Sequence, residues 1–340
     1  MKRRSLLALT LALGLLAGCS KQKADGAPAP DKSAAPKKLR IAVVPKGTTH
    51  EFWKSVHAGA VKAARELGVE IVWKGPLKED DLKSQVDLVQ SFTAQGVSGL
   101  VLAPLNDVAL ASSVKGSVRA GIPVVIFDSD LKGSDHSSFV ATDNRAAGAL
   151  AGERLGKQLG GKGNVIVLRY QEGSASTHHR EQGFLEAIKK FPEIKVVSEN
   201  QYGGATTESA YSASENLLLA QNAAKGQIHG VFCPNESTTF GMMLAIEKAG
   251  LSGKLQFIGF DASEKLVQGI RSGTLHGLVL QNPFKMGYLA VKTMTEHLQG
   301  KKVDARIDTG AMLVDKANLE SPEIAELIKP DLGKWLGGAE

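Results

Sequence analysis

The chain states one pattern twice. Residues 122–130, Ile-Pro-Val-Val-Ile-Phe-Asp-Ser-Asp, run apolar after Gly121 until they stop on Asp128. Residues 255–263, Leu-Gln-Phe-Ile-Gly-Phe-Asp-Ala-Ser, do the same and stop on Asp261. A shorter echo precedes each: Val101-Leu102-Ala103-Pro104-Leu105-Asn106-Asp107 before the first, Val231-Phe232-Cys233-Pro234-Asn235-Glu236-Ser237 before the second. Short apolar runs bounded by turn residues read as strands buried on both faces of a parallel sheet. The carboxyl ends of such strands border the crevice where open parallel sheets bind ligands. Two half-chains presenting the same strand ends in the same order predict two similar lobes with a polar cleft between them.

The length of 340 residues suits one large or two ordinary domains, and 43% apolar residues suffice to fill them. The formal charge of +6 is confined to the front of the chain. It comes from Lys2, Arg3 and Arg4 and from the excess of Lys over Asp in residues 20–38. Residues 39–340 are neutral as a body, which excludes the basic footprint of a nucleic-acid binder. The basic start leads into an apolar run, 6–17, of signal-peptide length. Leu16-Ala17-Gly18-Cys19 resembles the lipobox of bacterial lipoproteins. Residues 1–19 are therefore expected to be a lipoprotein signal peptide, and Cys19 a lipidated N-terminus on a bacterial membrane. Arg3-Arg4 also resembles a twin-arginine signal, and export by either route is compatible with the sequence. Residues 20–38, rich in Ala, Pro and Lys, are expected to be a disordered tether. With Cys19 lipidated, Cys233 has no partner for an intrachain disulfide, and its place at the end of an apolar run predicts a buried structural thiol.

Beyond residue 38, short apolar runs alternate with amphipathic stretches. Strands are predicted over 39–44, 69–73, 97–102, 122–128 and 138–141, with helices over 52–67, 82–95 and 108–120 between them. The second half gives strands over 164–168, 195–198, 228–233, 255–259, 277–280 and 311–314. Its helices are predicted over 146–159, 180–190, 207–224, 238–248 and 283–298, and residues 321–340 read as a helical decoration. This βαβ order argues an α/β fold of parallel sheets flanked by helices.

A resemblance rests on specific residues. Ile41-Ala42-Val43-Val44 with Glu51-Phe52-Trp53, Gly121-Ile122-Pro123-Val124 to Asp128, Ala141-Thr142-Asp143-Asn144, Pro234-Asn235-Glu236, Gly259-Phe260-Asp261 and Gln281 together resemble the ribose-type periplasmic sugar-binding proteins. These are solute receptors of ABC transporters and relatives of LacI-type repressor cores. The resemblance covers about residues 39–315. It implies the periplasmic binding protein type I fold: two Rossmann-like lobes joined by a three-crossover hinge, with the ligand between them. The implied N-terminal lobe is 39–142 plus 282–310, and the implied C-terminal lobe is 143–281 plus 311–340. It further implies a monomeric protein that presents a monosaccharide or polyol to ABC permease subunits, with no catalysis and no cofactor. Phe52, Trp53, Asp128, Asn235, Asp261 and Gln281 occupy the positions that contact ligand in the family.

The chemistry of those residues agrees. Carboxylates accept charge-assisted hydrogen bonds from hydroxyl pairs, amides donate and accept at once, and aromatic rings cover sugar C–H faces. Other roles for the same residues are helix capping by the two Asp and core packing by the aromatics. Asn106 echoes Asn235 but reads as a turn or cap residue. The chain departs from the ribose proteins at four places: His50 and Ala103 stand where they carry Asn, and Ser129 and His178 where they carry Arg. With no guanidinium at those two positions, a sugar or polyol other than ribose is expected. His50, Ser129 and His178 join the candidate ligand-binding residues. Adjacent His178 and His179 lack the companions of a metal site, and no metal is expected. Two other functions use the same features. A sugar sensor feeding a chemoreceptor or kinase has the same fold. Asp128-Ser129-Asp130 resembles the start of haloacid-dehalogenase phosphatases, though there the motif belongs on the first strand.

Overall fold

The computed structural model describes residues 38–133 and 135–337. The expected signal peptide, Cys19 and all of the expected tether but Lys38 lie outside the described residues. The first half runs β1 (Arg40–Val44), α1 (Glu51–Leu67), β2 (Glu70–Trp73), α2 (Leu82–Ala94), β3 (Gly99–Leu102), α3 (Ala111–Arg119), β4 (Val124–Phe127) and β5 (Ser138–Ala141). The second begins with α4 (Asn144–Gln158), β6 (Lys162–Arg169), α5 (Ala175–Ile188), β7 (Glu193–Tyr202) and α6 (Thr207–Ala220). A 3-10 turn, Ala223–Lys225, precedes β8 (Gly230–Phe232), α7 (Glu236–Lys248), β9 (Gln256–Phe260), α8 (Glu264–Ser272) and β10 (Gly277–Gln281). The chain closes with α9 (Pro283–Leu298), β11 (Arg306–Asp308), β12 (Ala311–Val314), α10 (Pro322–Ile328) and α11 (Leu332–Leu336).

Two six-stranded sheets result, ordered β2-β1-β3-β4-β5-β11 and β7-β6-β8-β9-β10-β12. The pairings are parallel except that β12 runs antiparallel to β10. In each sheet the sixth strand arrives from far along the chain. The chain therefore passes between lobes at residues 141–144, 281–283 and 308–311, the architecture of type I periplasmic binding proteins.

Alternation along the strands explains why each sheet is covered twice. Ile41 and Val43 of β1 pack with Val56 of α1 and Met286 of α9, whereas Ala42 and Val44 pack with Val89 and Phe92 of α2. In β6, Ile166 and Leu168 join Leu217 and Met242, whereas Val165 and Val167 join Leu155 and Phe184. Successive side chains of a strand point to opposite faces, so an all-apolar strand demands helices on both sides. Cys233 is fully buried in the C-terminal core, and burial pushes its thiol pKa well up.

Several elements differ from expectation. Helix α5 starts at Ala175, before the predicted residue 180, and β7 is longer than predicted. Helix α8, capped by Ser263, and strand β11 add to the predicted set. The C-terminal segment is a correction to the lobe assignment of residues 311–340. Strand β12 and Ile324 of α10 belong to the C-terminal lobe. Helix α11 instead lies on the N-terminal lobe, where Arg65 of α1 donates to the carbonyls of Lys334 and Trp335 at 3.3 and 3.0 Å. Trp335 packs near Phe284 of α9 and under the Arg65 guanidinium, an aromatic and cationic face that α1 and α9 leave uncovered. No described helix is long and apolar enough to cross a membrane.

Candidate functional site

Asp128 and Asp261 follow β4 and β9 directly, and both sit in the left-handed backbone region, at φ 61° and 65°. Asn222 is the only other described non-glycine residue there. That region costs an ordinary L-residue about 1–2 kcal/mol, and Asp is among the few that visit it. Each amide still pairs onward, Asp128 to the Val140 carbonyl at 3.0 Å and Asp261 to that of Val279 at 2.9 Å. The turn thus keeps the ladder while aiming the carboxylate past the strand end. The two side chains face one cavity from opposite lobes, and the residues are 4% and 6% exposed. Neither caps the helix that follows it in sequence. Asp261 accepts from the amide of Glu236 at 3.0 Å and from Gln281 Nε2 at 2.7 Å, while Ser263 caps α8.

The cavity also gathers His50, Phe52, Trp53, Asn235 and Gln281. Trp53 is core as well as wall: it is 2% exposed and edge-on to Phe52 and Phe127. Asn235 caps α7, accepting from Thr238 Oγ1 at 2.6 Å. Asn106 caps its own turn, accepting from the amides of Val108 and Ala109. The cavity itself is about 30 Å³, room for one water, because the lobes meet across it.

Two candidates lie elsewhere. Ser129 is fully buried beside the cleft, where its hydroxyl accepts from the Ser176 amide at 3.1 Å, a contact between lobes. His178 is exposed and turned outward, bonded to Arg169 Nη2 at 3.1 Å and Gln182 Nε2 at 2.9 Å. It lines a separate groove of about 770 Å³ with Asp107, Asp130 and His179. The reason is the early start of α5: residues two apart on a helix point to roughly opposite faces, so Arg180 turns inward and His178 outward. The carboxylates of Asp128 and Asp130 therefore do not share a site, Asp130 accepting from the amide of Leu131 at 2.8 Å. Among the described residues, no three His, Cys, Asp or Glu are grouped to hold a metal.

Arg180 brings a guanidinium to the cleft, although Ser129 and His178 stand where the ribose proteins carry Arg. It is 2% exposed, donates to Asn144 Oδ1 at 2.8 Å and the Pro234 carbonyl at 2.9 Å, and lies 4.4 Å from the Phe260 ring centroid. Among the described residues its Nη2 has no hydrogen-bond partner, nor has Gln281 Oε1, and both residues line the cavity. Glycine makes this placement possible. A Cβ on Gly148 of α4 would come within 2.0 Å of the Arg180 carbonyl, and one on Gly183 of α5 within 1.9 Å of that of Arg145. The two backbones touch there, which brings Asn144 to the guanidinium.

Four further charged or polar residues of the cleft are missed by the sequence pattern. Lys46, 2% exposed, lies 3.3 Å from Asp128 Oδ2 and donates to Ser176 and Ser174 of the other lobe at 3.1 and 3.2 Å. Glu79 accepts from Trp53 Nε1 at 2.7 Å and Tyr170 OH at 2.5 Å, and His50 Nδ1 is 2.9 Å away. Glu236 accepts from the Phe52 amide at 3.3 Å, again between lobes. Lys46 and Tyr170 each follow a strand end, the same signal that marks the two Asp; Glu79, in a loop, gives none.

Burial alone pushes the His50 imidazole down, but the hydrogen bond and charge of Glu79, with Glu236 and Asp261 beyond, outweigh it and hold its pKa at about 9. Burial likewise raises Glu79, and His50, Lys46 and Tyr170 together overcome it, leaving a pKa of about 2. For Glu236 the balance goes the other way: burial, with the charges of Asp261 and Glu79, raises it to about 7 against the pull of His50 and the Phe52 amide. Burial also raises Asp261, countered by Arg180 and Gln281. The cleft thus holds a fixed imidazolium–carboxylate pair beside Glu236, whose raised pKa lets it donate as well as accept, and Asp261, which accepts from the Glu236 amide and Gln281. Such groups donate and accept hydrogen bonds to hydroxyls without presenting one dominant sign of charge.

A family model described as a periplasmic binding protein domain matches residues 41–302. The ribose import binding protein of Haemophilus influenzae is 27% identical over 84% of this chain and 94% of its own length. The D-allose-binding periplasmic protein of Escherichia coli is 28% identical over 77% and 85%. Among solved structures, a carbohydrate transporter solute-binding protein from Agrobacterium radiobacter, in complex with D-arabinose, superposes with a TM-score of 0.82. It is 32% identical, over 87% of this chain and 100% of that one. An ABC transporter solute-binding protein from Agrobacterium vitis with bound D-fucose gives 0.81 at 34% identity, over 85% and 100%.

Proposed function

The chain belongs to the periplasmic binding protein domain family, and we propose that it is the substrate-binding lipoprotein of an ABC importer, capturing a sugar or polyol between its lobes. The observation that carries this is the pairing of Asp128 and Asp261: matching strand ends of opposite lobes, both in the left-handed region, facing one cavity. Strained backbone persists where the surroundings over-determine it, commonly at binding sites. Hydroxyl pairs suit the two carboxylates, Arg180 Nη2 offers a donor and Gln281 Oε1 an acceptor, and Phe52 covers a C–H face. His50, Trp53 and Asn235 complete the contacts we assign to the ligand; Ser129 acts through the lobe contact and His178 does not take part.

Ligand that touches both lobes stabilises their closed arrangement, and the closed form is what a permease recognises. Cys19 carries the lipid that holds the protein at the outer side of a bacterial membrane. The protein acts as a monomer, without cofactor or catalysis. A thermal-shift screen of monosaccharides and polyols tests the function. A true ligand at 100 times its dissociation constant adds about 2.7 kcal/mol of stability; no shift with any member of a broad panel contradicts the assignment.

A further inference from the structure

Space in the cleft is distributed unevenly. The cavity between the two Asp is about 30 Å³, whereas a chamber of about 680 Å³ opens beside it. The two share a wall: His50, Phe52, Glu236, Asp261 and Gln281 line both. Small-molecule sites usually measure about 300–1,000 Å³. Room beyond the small cavity between the two Asp therefore lies on the Asp261 side.

The chamber is built by a part of the chain that neither sheet requires. Its roof is the end of α10, Leu327 and Ile328, the link through Lys329 and Pro330, and Leu332 at the start of α11. One end of this roof is fixed in the C-terminal core by Ile324, the other on the N-terminal lobe by Trp335 and Arg65. A chain ending at β12 would leave this side of the cleft open. The lining has apolar faces, Phe240, Val267 and Ile328, beside charges of both signs, Glu51 and Glu264 against Lys265 and Arg271. Balanced charge disfavours an ionic occupant, and apolar faces among polar groups match a sugar ring, with its C–H faces and its rim of hydroxyls.

We infer that the protein takes a neutral saccharide of at least two linked rings, the first held between Asp128 and Asp261 with Gln281 and Arg180, and the second seated in the roofed chamber on the Asp261 side. This rests on the sugar-binding function proposed above and extends it to the length of the ligand. The roof gives the second ring contacts that a single ring does not reach, so affinity rises with the second ring.

The test uses purified full-length protein and three matched pairs: xylose and xylobiose, glucose and cellobiose, galactose and β-1,4-galactobiose. Each is titrated calorimetrically. The expected result is at least a tenfold tighter dissociation constant for the disaccharide of one pair than for its monosaccharide. Ile328→Trp, which fills the chamber from the roof, collapses that ratio; Ala262→Trp fills it from the floor and serves if the first variant unseats α10. Equal affinities within every pair that binds, or a ratio unchanged in both variants, overturns the chamber and leaves the sugar function standing. Absence of binding by all six sugars overturns both.

Discussion

Tyr170, just past β6 in the C-terminal lobe, donates its hydroxyl proton to Glu79 of the N-terminal lobe at 2.5 Å, with both side chains out of solvent. Glu79 is held in place by His50 and Trp53 of its own lobe, so Tyr170 closes onto a prepared acceptor. A hydrogen bond to a charged group contributes about 1.5–3 kcal/mol. Because this one exists only with the lobes together, that energy bears on the open–closed balance. Tyr170→Phe is therefore expected to shift ligand-free protein toward the open form by that amount. Small-angle scattering checks it: the variant has the larger radius of gyration, and identical curves would contradict the role of this contact.

Stability of the ligand-free protein is expected to fall as pH rises from about 6.5 to about 9; below that window His57, lowered by burial from 6.5 to about 4, offsets Glu236. The folded pKa of Glu236 is raised from 4.5 to about 7, and that of His50 from 6.5 to about 9. A raised group contributes fully below its unfolded pKa and loses that contribution as pH rises through its folded one. Glu79, lowered from 4.5 to about 2, works the other way and is lost only in acid. Thermal melts at constant ionic strength check the slope. His50→Gln flattens the limb between 6.5 and 9, and a melting temperature that climbs across this range contradicts the assignment.

Arg180→Lys keeps the charge and loses the fork. Lys does not reproduce two fixed bonds to Asn144 and the Pro234 carbonyl, and it leaves buried acceptors without donors. The expected cost is about 1–3 kcal/mol in denaturant unfolding, together with weaker ligand binding. Parental stability would show that the guanidinium is not part of the framework.

The two lobes and the two Asp are legible in the doubled strand end, since apolar runs and their stops are local features of a sequence. What stays hidden is hidden for physical reasons. Strand β11 is three residues, Arg306–Asp308, at a sheet edge, with no alternation to read. Helix α8 has its Ser263 cap and the apolar set Leu266, Val267 and Ile270, but Gly269 interrupts a segment of only nine residues. After Ala175, the start of α5 runs through Ser176, Thr177, His178 and His179, all of weak helix preference, so the pattern puts its onset too late and gives His178 the position that belongs to Arg180. The Glu79–Tyr170 contact joins residues 91 apart in sequence, on segments whose meeting depends on lobe closure.

The measurement closest to the central claim is calorimetric titration of Asp128→Asn, Asp261→Asn and the double variant with a sugar that stabilises the parent. Asn tolerates the left-handed backbone, so each change removes the charged acceptor while keeping the turn. If one ligand bridges both lobes through these carboxylates, each single variant loses about 1.5–3 kcal/mol of binding, roughly 10- to 150-fold in dissociation constant, and the double variant loses more than either. Parental affinity in both single variants would contradict the account.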